Sequence, residues 1–136
     1  SVIATDFSPS AIKKMRKTNR GDDHIENLSY KVMDVRDMSF EDKSFSMIID
    51  KATLDCVFHV SEKDVMQYVS EVARLLQRKG VFICVSNIEP KYYTKFFDRQ
   101  IDLNITLEKV EEIKKPLPSE LPYHVYVVRK VSRVLL

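Results

Sequence analysis

Residues 45–85, FSMIIDKATLDCVFHVSEKDVMQYVSEVARLLQRKGVFICV, contain two short apolar runs separated by a long segment with helical periodicity. The first run, residues 45–49, follows a charged turn and stops at Asp50, which is typical of a buried strand in a parallel sheet. The second run, residues 81–85, has the same character. A strand, a helix and another strand in this order predict two parallel strands joined by a helical crossover.

The helix between these strands has its own start and stop signals. Ser61 is a favourable N-cap residue, and Asp64 stands three positions later, where an acidic side chain completes the cap. We expect the helix to continue until Gly80 ends it. Its buried stripe consists of Val65, Val69, Val72 and Leu76.

The residues before this strand, helix and strand, residues 1–44, also alternate between predicted strands and a predicted helix. Residues 1–5 form a short apolar, β-branched run, and residues 28–33 alternate between apolar and polar side chains. Both patterns predict strands. Ser8 followed by Pro9 predicts the start of a helix between them, and residues 19–22 supply its stop.

The C-terminal part differs, because residues 101–113 and 125–131 are extended and alternating. The proline-rich stretch between them, residues 115–122, predicts a loop and therefore a long β-hairpin at a sheet edge. We therefore expect an α/β protein with an open, mostly parallel sheet and a C-terminal antiparallel hairpin, in a single domain of residues 1–136.

Composition and charge narrow the class of protein. The chain has 136 residues, 44% hydrophobic and 31% charged, which is the balance of a globular domain. Its net charge of +2 gives no sign of a nucleic-acid or membrane partner, and no apolar run reaches the ~18 residues that cross a bilayer.

The two cysteines, Cys56 and Cys84, stand in apolar surroundings and lack the sequence spacing of metal ligands. We expect buried, reduced thiols, no metal site and a cytoplasmic location.

Three of the predicted strands end in an aspartate, namely Asp6, Asp34 and Asp50. Ligands of open parallel sheets bind beyond the carboxyl ends of the strands, so folding would bring these carboxylates to one edge. One carboxylate there can accept hydrogen bonds from both hydroxyls of a ribose, and another from an adenine amino group. Each aspartate alone is also a common cap or turn residue, so their joint placement is the stronger signal.

Four segments of the chain form a pattern in order and spacing: residues 2–8 (VIATDFS), 33–38 (MDVRDM), 45–55 (FSMIIDKATLD) and 69–82 (VSEVARLLQRKGVF). This pattern resembles the class I S-adenosylmethionine-dependent methyltransferases. The element DKATLD at residues 50–55 is similar to the DKGTLD or EKGTLD element of the eukaryotic methyltransferase-like family that modifies lysines of translation elongation factor 1-alpha. The resemblance covers residues 1 to about 130 and implies a Rossmann-like methyltransferase sheet with S-adenosylmethionine as cofactor.

The resemblance also implies which residues hold the cofactor. Asp6 would bind the ribose hydroxyls, and Phe7 would pack on the adenine. Asp34 and the backbone N–H of Val35 would form hydrogen bonds with the edge of the adenine. Lys51, after the third of the predicted strands, would contact the cofactor near its methionine end.

For the acceptor, the resemblance implies methyl transfer to a protein lysine, with elongation factor 1-alpha as the implied protein partner. Thr53, Leu54 and Asp55 would line the approach of this acceptor. The reaction is an in-line attack by a neutral amine and needs little acid–base chemistry, so we expect catalysis to come from alignment. Asp50 or Asp55 would orient the amine, and these two are the predicted catalytic residues.

The sequence departs from the family pattern at two points. Ala52 stands where the family usually has glycine, and alanine is disfavoured where φ must be positive. The family's first strand and its G-x-G loop would precede Ser1, so we expect a sheet without that strand and a cofactor site without that loop. We expect the same absence to explain the glycine count of two, where average usage gives about ten.

These departures leave a second function open. The chain could instead be a non-catalytic methyltransferase-like scaffold that binds a protein partner with the same sheet. The edges beside the expected gap are also places where a second copy could pair to form a homodimer.

Overall fold

The computed structural model describes residues 1–19, 26–98, 100–118 and 120–132. Within it the chain divides into two compact units, residues 1–39 and residues 40–136. The prediction of one domain over residues 1–136 stays a prediction.

The first unit has a strand, a helix and a second strand: β1 (Val2–Asp6), α1 (Pro9–Thr18) and β2 (Leu28–Val32). The two strands are parallel, in a register that pairs Asp6 with Val32. Ser8 caps α1, since its hydroxyl accepts a hydrogen bond from the N–H of Ala11 at 3.3 Å. The predicted strands and helix start are confirmed, whereas residues 20–22 of the predicted stop lie outside the described residues.

The second unit contains a four-stranded sheet in the order β3-β4-β6-β5. Strands β3 and β4 are parallel, while β6 is antiparallel to both β4 and β5. The predicted α/β class, parallel pair and edge hairpin are therefore confirmed, and this sheet is mixed. The elements are β3 (Phe45–Lys51), α2 (Thr53–Phe58), α3 (Glu62–Leu75), β4 (Leu76–Ser86), α4 (Pro90–Phe97), β5 (Ile105–Ile113) and β6 (Tyr123–Lys130).

The junction of α3 and β4 differs from the prediction. Helix α3 begins as expected, with the Ser61 hydroxyl accepting from the N–H of Asp64 at 3.1 Å. It ends at Leu75, however, and β4 starts at Leu76, so Gly80 lies inside the strand rather than at the helix end. The register shifts here, because Phe45 pairs with Leu76 but Met47 pairs with Val81.

Gly80 is required by a close approach of backbone to backbone. A β-carbon at this position would lie 2.8 Å from the carbonyl oxygen of Gln77 and 3.2 Å from that of Ser46. The preceding residue, Lys79, has a φ of 64°, in the left-handed region that a side chain disfavours. The irregular start of β4 thus places glycine at the crowded position and lysine at the strained one.

Two other predictions need correction. Residues Ile101–Leu103 form a short 3₁₀ helix rather than the start of the hairpin strand, which begins at Ile105. Cys56 is exposed on α2, whereas Cys84 is buried in β4 as expected. Apolar neighbours in the chain do not settle the burial of Cys56, because Leu54 on the same helix is completely buried while Val57 and Phe58 are half-buried.

The core of the second unit is aromatic. Tyr93 and Phe97 of α4 pack against Tyr126 of β6 with tilted rings, whose centroids are 5.3 and 5.8 Å from that of Tyr126, and the Phe82 ring of β4 lies 6.0 Å from Phe97. All four side chains are almost completely buried. The helical spacing of these residues in α4 therefore marks core packing.

Strand β3 lies at an edge of its sheet and exposes Met47 and Ile49. The prediction of a homodimer formed through exposed sheet edges stays a prediction. In the part of the chain that the structure describes, no helix is long and apolar enough to cross a membrane. The same residues contain no cluster of three or more histidine, cysteine, aspartate or glutamate side chains that could hold a metal ion.

We expect the substitution Gly80→Ala to lower the free energy of unfolding by about 1–3 kcal/mol, as overpacking does. The matched substitution Lys79→Gly removes the steric cost of a side chain on a residue with positive φ. It should raise the free energy of unfolding by about 1 kcal/mol. Urea unfolding followed by circular dichroism measures both. A Gly80→Ala variant as stable as the parent would contradict the close approach.

Candidate functional site

The carboxyl ends of β1 and β2 lie at the same edge of the first unit's sheet. The strands are parallel, and the N–H of Met33 donates to the carbonyl oxygen of Asp6 at 2.9 Å just beyond the ladder. Asp6 ends β1, and Asp34 follows β2 after one further residue. Within this unit the structure therefore brings together the two carboxylates that the sequence places after these strands.

Asp6 has one oxygen occupied and one available. Its Oδ1 accepts a hydrogen bond from the N–H of Ser8 at 2.8 Å, which fixes the turn into α1. Its Oδ2 accepts no hydrogen bond from the described residues. The next residue, Phe7, is 78% exposed, so an apolar ring stands in solvent beside this carboxylate. An exposed ring beside a free carboxylate oxygen can bind a flat base attached to a group with hydroxyls.

Asp34 is held by its neighbour Arg36. Its Oδ1 accepts from the backbone N–H and from Nε of Arg36 at 2.9 and 3.0 Å, and its Oδ2 accepts from Nη2 at 2.7 Å. The hydrogen bond from the Arg36 side chain lowers the pKa of the Asp34 carboxyl. Val35 lies between them, half-buried in the turn. The carboxylate stays ionised, and Oδ2 keeps a lone pair for a further donor.

Asp50 does not follow its strand as predicted, because β3 continues through it to Lys51. Its side chain points into the second unit and is 3% exposed. Oδ1 accepts from the N–H of Thr53 at 2.8 Å, and Oδ2 accepts from the N–H of Leu54 at 3.0 Å and from the hydroxyl of Tyr68 at 2.7 Å. Burial raises the pKa of the Asp50 carboxyl, against the opposing effect of these hydrogen bonds.

Asp50 thereby caps α2 from outside the helix. The residue at the N-cap position is Ala52, which has no side-chain oxygen to offer the first N–H groups. Ala52 has a φ of 67°, and its N–H donates to the carbonyl oxygen of Val85 at 3.0 Å. The alanine that replaces the family's usual glycine therefore adopts a left-handed conformation.

Lys51 faces away from the buried network. It is the last residue of β3, pairs with Val85 and is exposed. Because side chains alternate along a strand, the inward orientation of Asp50 directs Lys51 to the other face. Its ammonium group is therefore presented to solvent at the carboxyl end of the strand.

Asp55 joins α2 to the end of β4. Its Oδ1 accepts from the Ser86 hydroxyl and from the Tyr93 hydroxyl, the latter at 2.6 Å, and its Oδ2 accepts from the N–H of Asn87 at 3.1 Å. The side chain is 9% exposed. Of the residues expected to line an acceptor path, Thr53 is exposed, whereas Leu54 is completely buried.

The sequence did not identify Tyr68, Tyr93 or Ser86 as partners of the two carboxylates. Tyr68 stands on the buried face of α3, and burial together with the charge of Asp50 raises its pKa well above the usual range. A tyrosine at a core position of a helix is a usable signal, because its hydroxyl needs a buried partner. The identity of that partner depends on tertiary packing.

Comparisons with known proteins show which family the chain belongs to. A family described as "Methyltransferase domain" matches residues 1–84. The chain is 35% identical over 89 residues to an eEF1A lysine and N-terminal methyltransferase of Bos taurus, covering 62% of this chain and 12% of that protein. It is 27% identical to the protein of the same description from Xenopus laevis, covering 95% of this chain and 20% of that protein.

A similar fold occurs in a SAM-dependent methyltransferase crystal structure from Methanosarcina mazei, with a TM-score of 0.74, 14% identity, and coverage of 96% of this chain and 82% of that one. The chain spans about an eighth to a fifth of the length of the two relatives. Since the family match extends over more than half of the residues, the chain belongs to the methyltransferase-domain family.

Proposed function

We propose that this chain takes part in methyl transfer from S-adenosylmethionine to a lysine of a protein. Membership of the methyltransferase-domain family supports the reaction. The relatives from Bos taurus and Xenopus laevis, described as acting on lysine and the N-terminus of eEF1A, support a protein acceptor. We propose eEF1A as that acceptor and the cytoplasm as the location.

The observation that carries the cofactor proposal is the pair of groups at the end of β1, an available carboxylate oxygen and an exposed aromatic ring. Asp6 offers a carboxylate oxygen with no partner among the described residues, and Phe7 offers a ring that is 78% exposed. These groups fit a ribose with two hydroxyls and an adenine, respectively. Asp34, ionised through its pairing with Arg36, and the N–H of Val35 fit the adenine edge.

The resemblance to the methyltransferases also leads us to propose Lys51 as a contact of the cofactor near its methionine end. Its exposed ammonium group fits the carboxylate at the methionine end of the cofactor. When bound, S-adenosylmethionine supplies an electrophilic methyl group. The chain's own residues then have two tasks, which are to hold that end of the cofactor and to keep the acceptor path in place.

We propose that Asp50 and Asp55 act in this reaction as positioning residues. Both are buried, and each already accepts at least three hydrogen bonds within the chain. A carboxylate in that situation fixes its donors rather than exchanging protons with an acceptor. Asp50 fixes the turn that carries Lys51, and Asp55 fixes α2 against the end of β4, so their contribution is alignment.

We expect this chain to bind S-adenosylhomocysteine in a calorimetric titration and the substitution Asp6→Asn to weaken binding about 10- to 100-fold, since hydrogen bonds to a charged acceptor are lost. The amide oxygen of asparagine can still accept from Ser8, so the turn is retained. The matched control is Asp37→Asn, which removes an exposed carboxylate from the turn after β2 and should leave binding unchanged.

Two results would count against the cofactor proposal. Equal weakening by both substitutions would point to general electrostatics rather than to Asp6. A folded chain that binds no S-adenosylhomocysteine would favour the scaffold function instead.

The acceptor is tested separately. Incubation of the chain with S-adenosylmethionine and purified eEF1A should add methyl groups to one or more lysine side chains, located by mass spectrometry of peptides. Replacing the modified lysine by arginine should abolish the signal, and the Asp6→Asn variant should reduce it. A methyl group found only on a residue other than lysine, from a chain that binds S-adenosylhomocysteine, would overturn the lysine proposal alone.

The strained turn allows a stability test. We expect Ala52→Gly to raise the free energy of unfolding by about 1 kcal/mol, because glycine adopts a positive φ without steric cost. The same change at Ala11, inside α1, should lower it by about 0.5–1 kcal/mol. Chemical denaturation measures both variants, and a loss of stability for Ala52→Gly would contradict the assigned conformation.

A further inference from the structure

A cavity of about 380 Å³ lies at the end of the four-stranded sheet away from the Asp50 turn. Lys43 precedes β3, Arg78 is near the start of β4, and Lys130 ends β6, and all three line it. Since β6 is antiparallel to β4, its last residue meets the amino ends of β3 and β4. The Asp50 turn lies at the carboxyl end of β3, so the cavity is at the opposite end of this sheet from Asp50 and Lys51.

The charge of the cavity lining is positive and uncompensated. Lys43, Arg78 and Lys130 are three cations, and none of the described residues that line the cavity is acidic. In the described ranges none of the three forms an ion pair. The neighbouring acids are engaged elsewhere, because Asp42 pairs with Arg74 at 2.9 Å and Glu108 pairs with Arg129 at 3.0 Å.

A hydrogen bond fixes the position of the Lys130 ammonium group, which is also repelled by the charge of Lys43. Its Nζ donates to the carbonyl oxygen of Leu103 at 2.8 Å and keeps two further N–H groups for a ligand. Partial burial, and then the charge of Lys43, lower the pKa of Lys130. The cations therefore repel each other, and a bound anion would offset that repulsion.

The backbone around the cavity is held in unusual conformations. Lys43 and Asn104 both line the cavity and have φ values of 57° and 53°. The N–H of Lys43 donates to the Arg74 carbonyl at 3.0 Å, and the N–H of Val131 donates to the Asn104 carbonyl at 2.8 Å. Left-handed non-glycine residues cost free energy and cluster at binding sites. Here they bring a lysine and an amide side chain to one cavity.

We propose that this cavity binds the phosphate group of a small phosphorylated molecule. A phosphate dianion is matched by several cations together with neutral donors, and the Asn104 amide and the Ser132 hydroxyl supply the latter. The volume of about 380 Å³ exceeds that of a phosphate ion and leaves room for the group that carries it. Leu76 contributes an apolar wall for that group.

The test is a calorimetric titration of the 136-residue chain with pyrophosphate in a low-salt buffer. We expect saturable one-site binding that the double substitution Arg78→Gln/Lys130→Gln weakens at least about tenfold, because charge-assisted hydrogen bonds are lost. The matched control, Lys13→Gln/Lys14→Gln, removes the same charge from the exposed face of α1 and should leave the affinity within about twofold, because neither lysine lines the cavity.

A second measurement keeps the proposal testable if the double variant does not fold. Nuclear magnetic resonance shifts of the parent chain on addition of pyrophosphate should be largest for the amides of Lys43, Asn104 and Ser132, and the single exposed substitution Lys43→Gln should weaken binding. Binding of the chain to vesicles of phosphatidylcholine and phosphatidic acid is measured in parallel, which distinguishes a lipid headgroup from a soluble phosphate. The proposal is overturned by no saturable binding, by equal weakening in the control, or by binding to vesicles alone.

Discussion

The hydrogen bonds of one buried carboxylate, Asp50, organise the second unit. Its two oxygens join β3, the first turn of α2 and, through Tyr68, the middle of α3. Leaving the capped N–H groups without an acceptor would cost about 1–3 kcal/mol each, because they are buried polar groups. Asp55 lies on the same helix, and its hydrogen bonds to Ser86 at the end of β4 and to Tyr93 of α4 attach α2 to two further elements. Burial raises the pKa of Asp50, and the hydrogen bonds from its three donors act in the opposite direction.

Strain in this chain falls on residues other than glycine. The described residues include five left-handed positions, namely Asn27, Lys43, Ala52, Lys79 and Asn104. Asparagine tolerates this conformation, whereas alanine and lysine disfavour it by about 1 kcal/mol or more. Gly80 meets a different need, the close approach of Ser46 and Gln77. Strain of this kind persists only where the surroundings fix the backbone, and both Ala52 and Lys43 are fixed by backbone hydrogen bonds.

Features set by local sequence were predictable, and features set by distant contacts were not. The caps at Ser8 and Ser61 involve residues three positions away, so the helix starts could be read from the chain. The end of α3 could not, because the close approach at Gly80 involves Ser46 on another strand. The burial of Asp50 depends on where β3 ends, since two more residues of strand keep its side chain on the inner face. Its partner Tyr68 is 18 residues away.

The charged side chains at the two ends of the second unit's sheet differ in whether the fold supplies them with partners. At the carboxyl end, Asp50 and Asp55 are buried, and their lone pairs are occupied by donors of the same chain. At the amino end, Lys43, Arg78 and Lys130 line an open cavity without acidic partners in the described ranges. A net charge of +2 conceals this separation, because it averages over both ends. Charges satisfied within the fold stabilise its geometry, whereas charges that the fold leaves unpaired repel one another and retain their donors for an external anion.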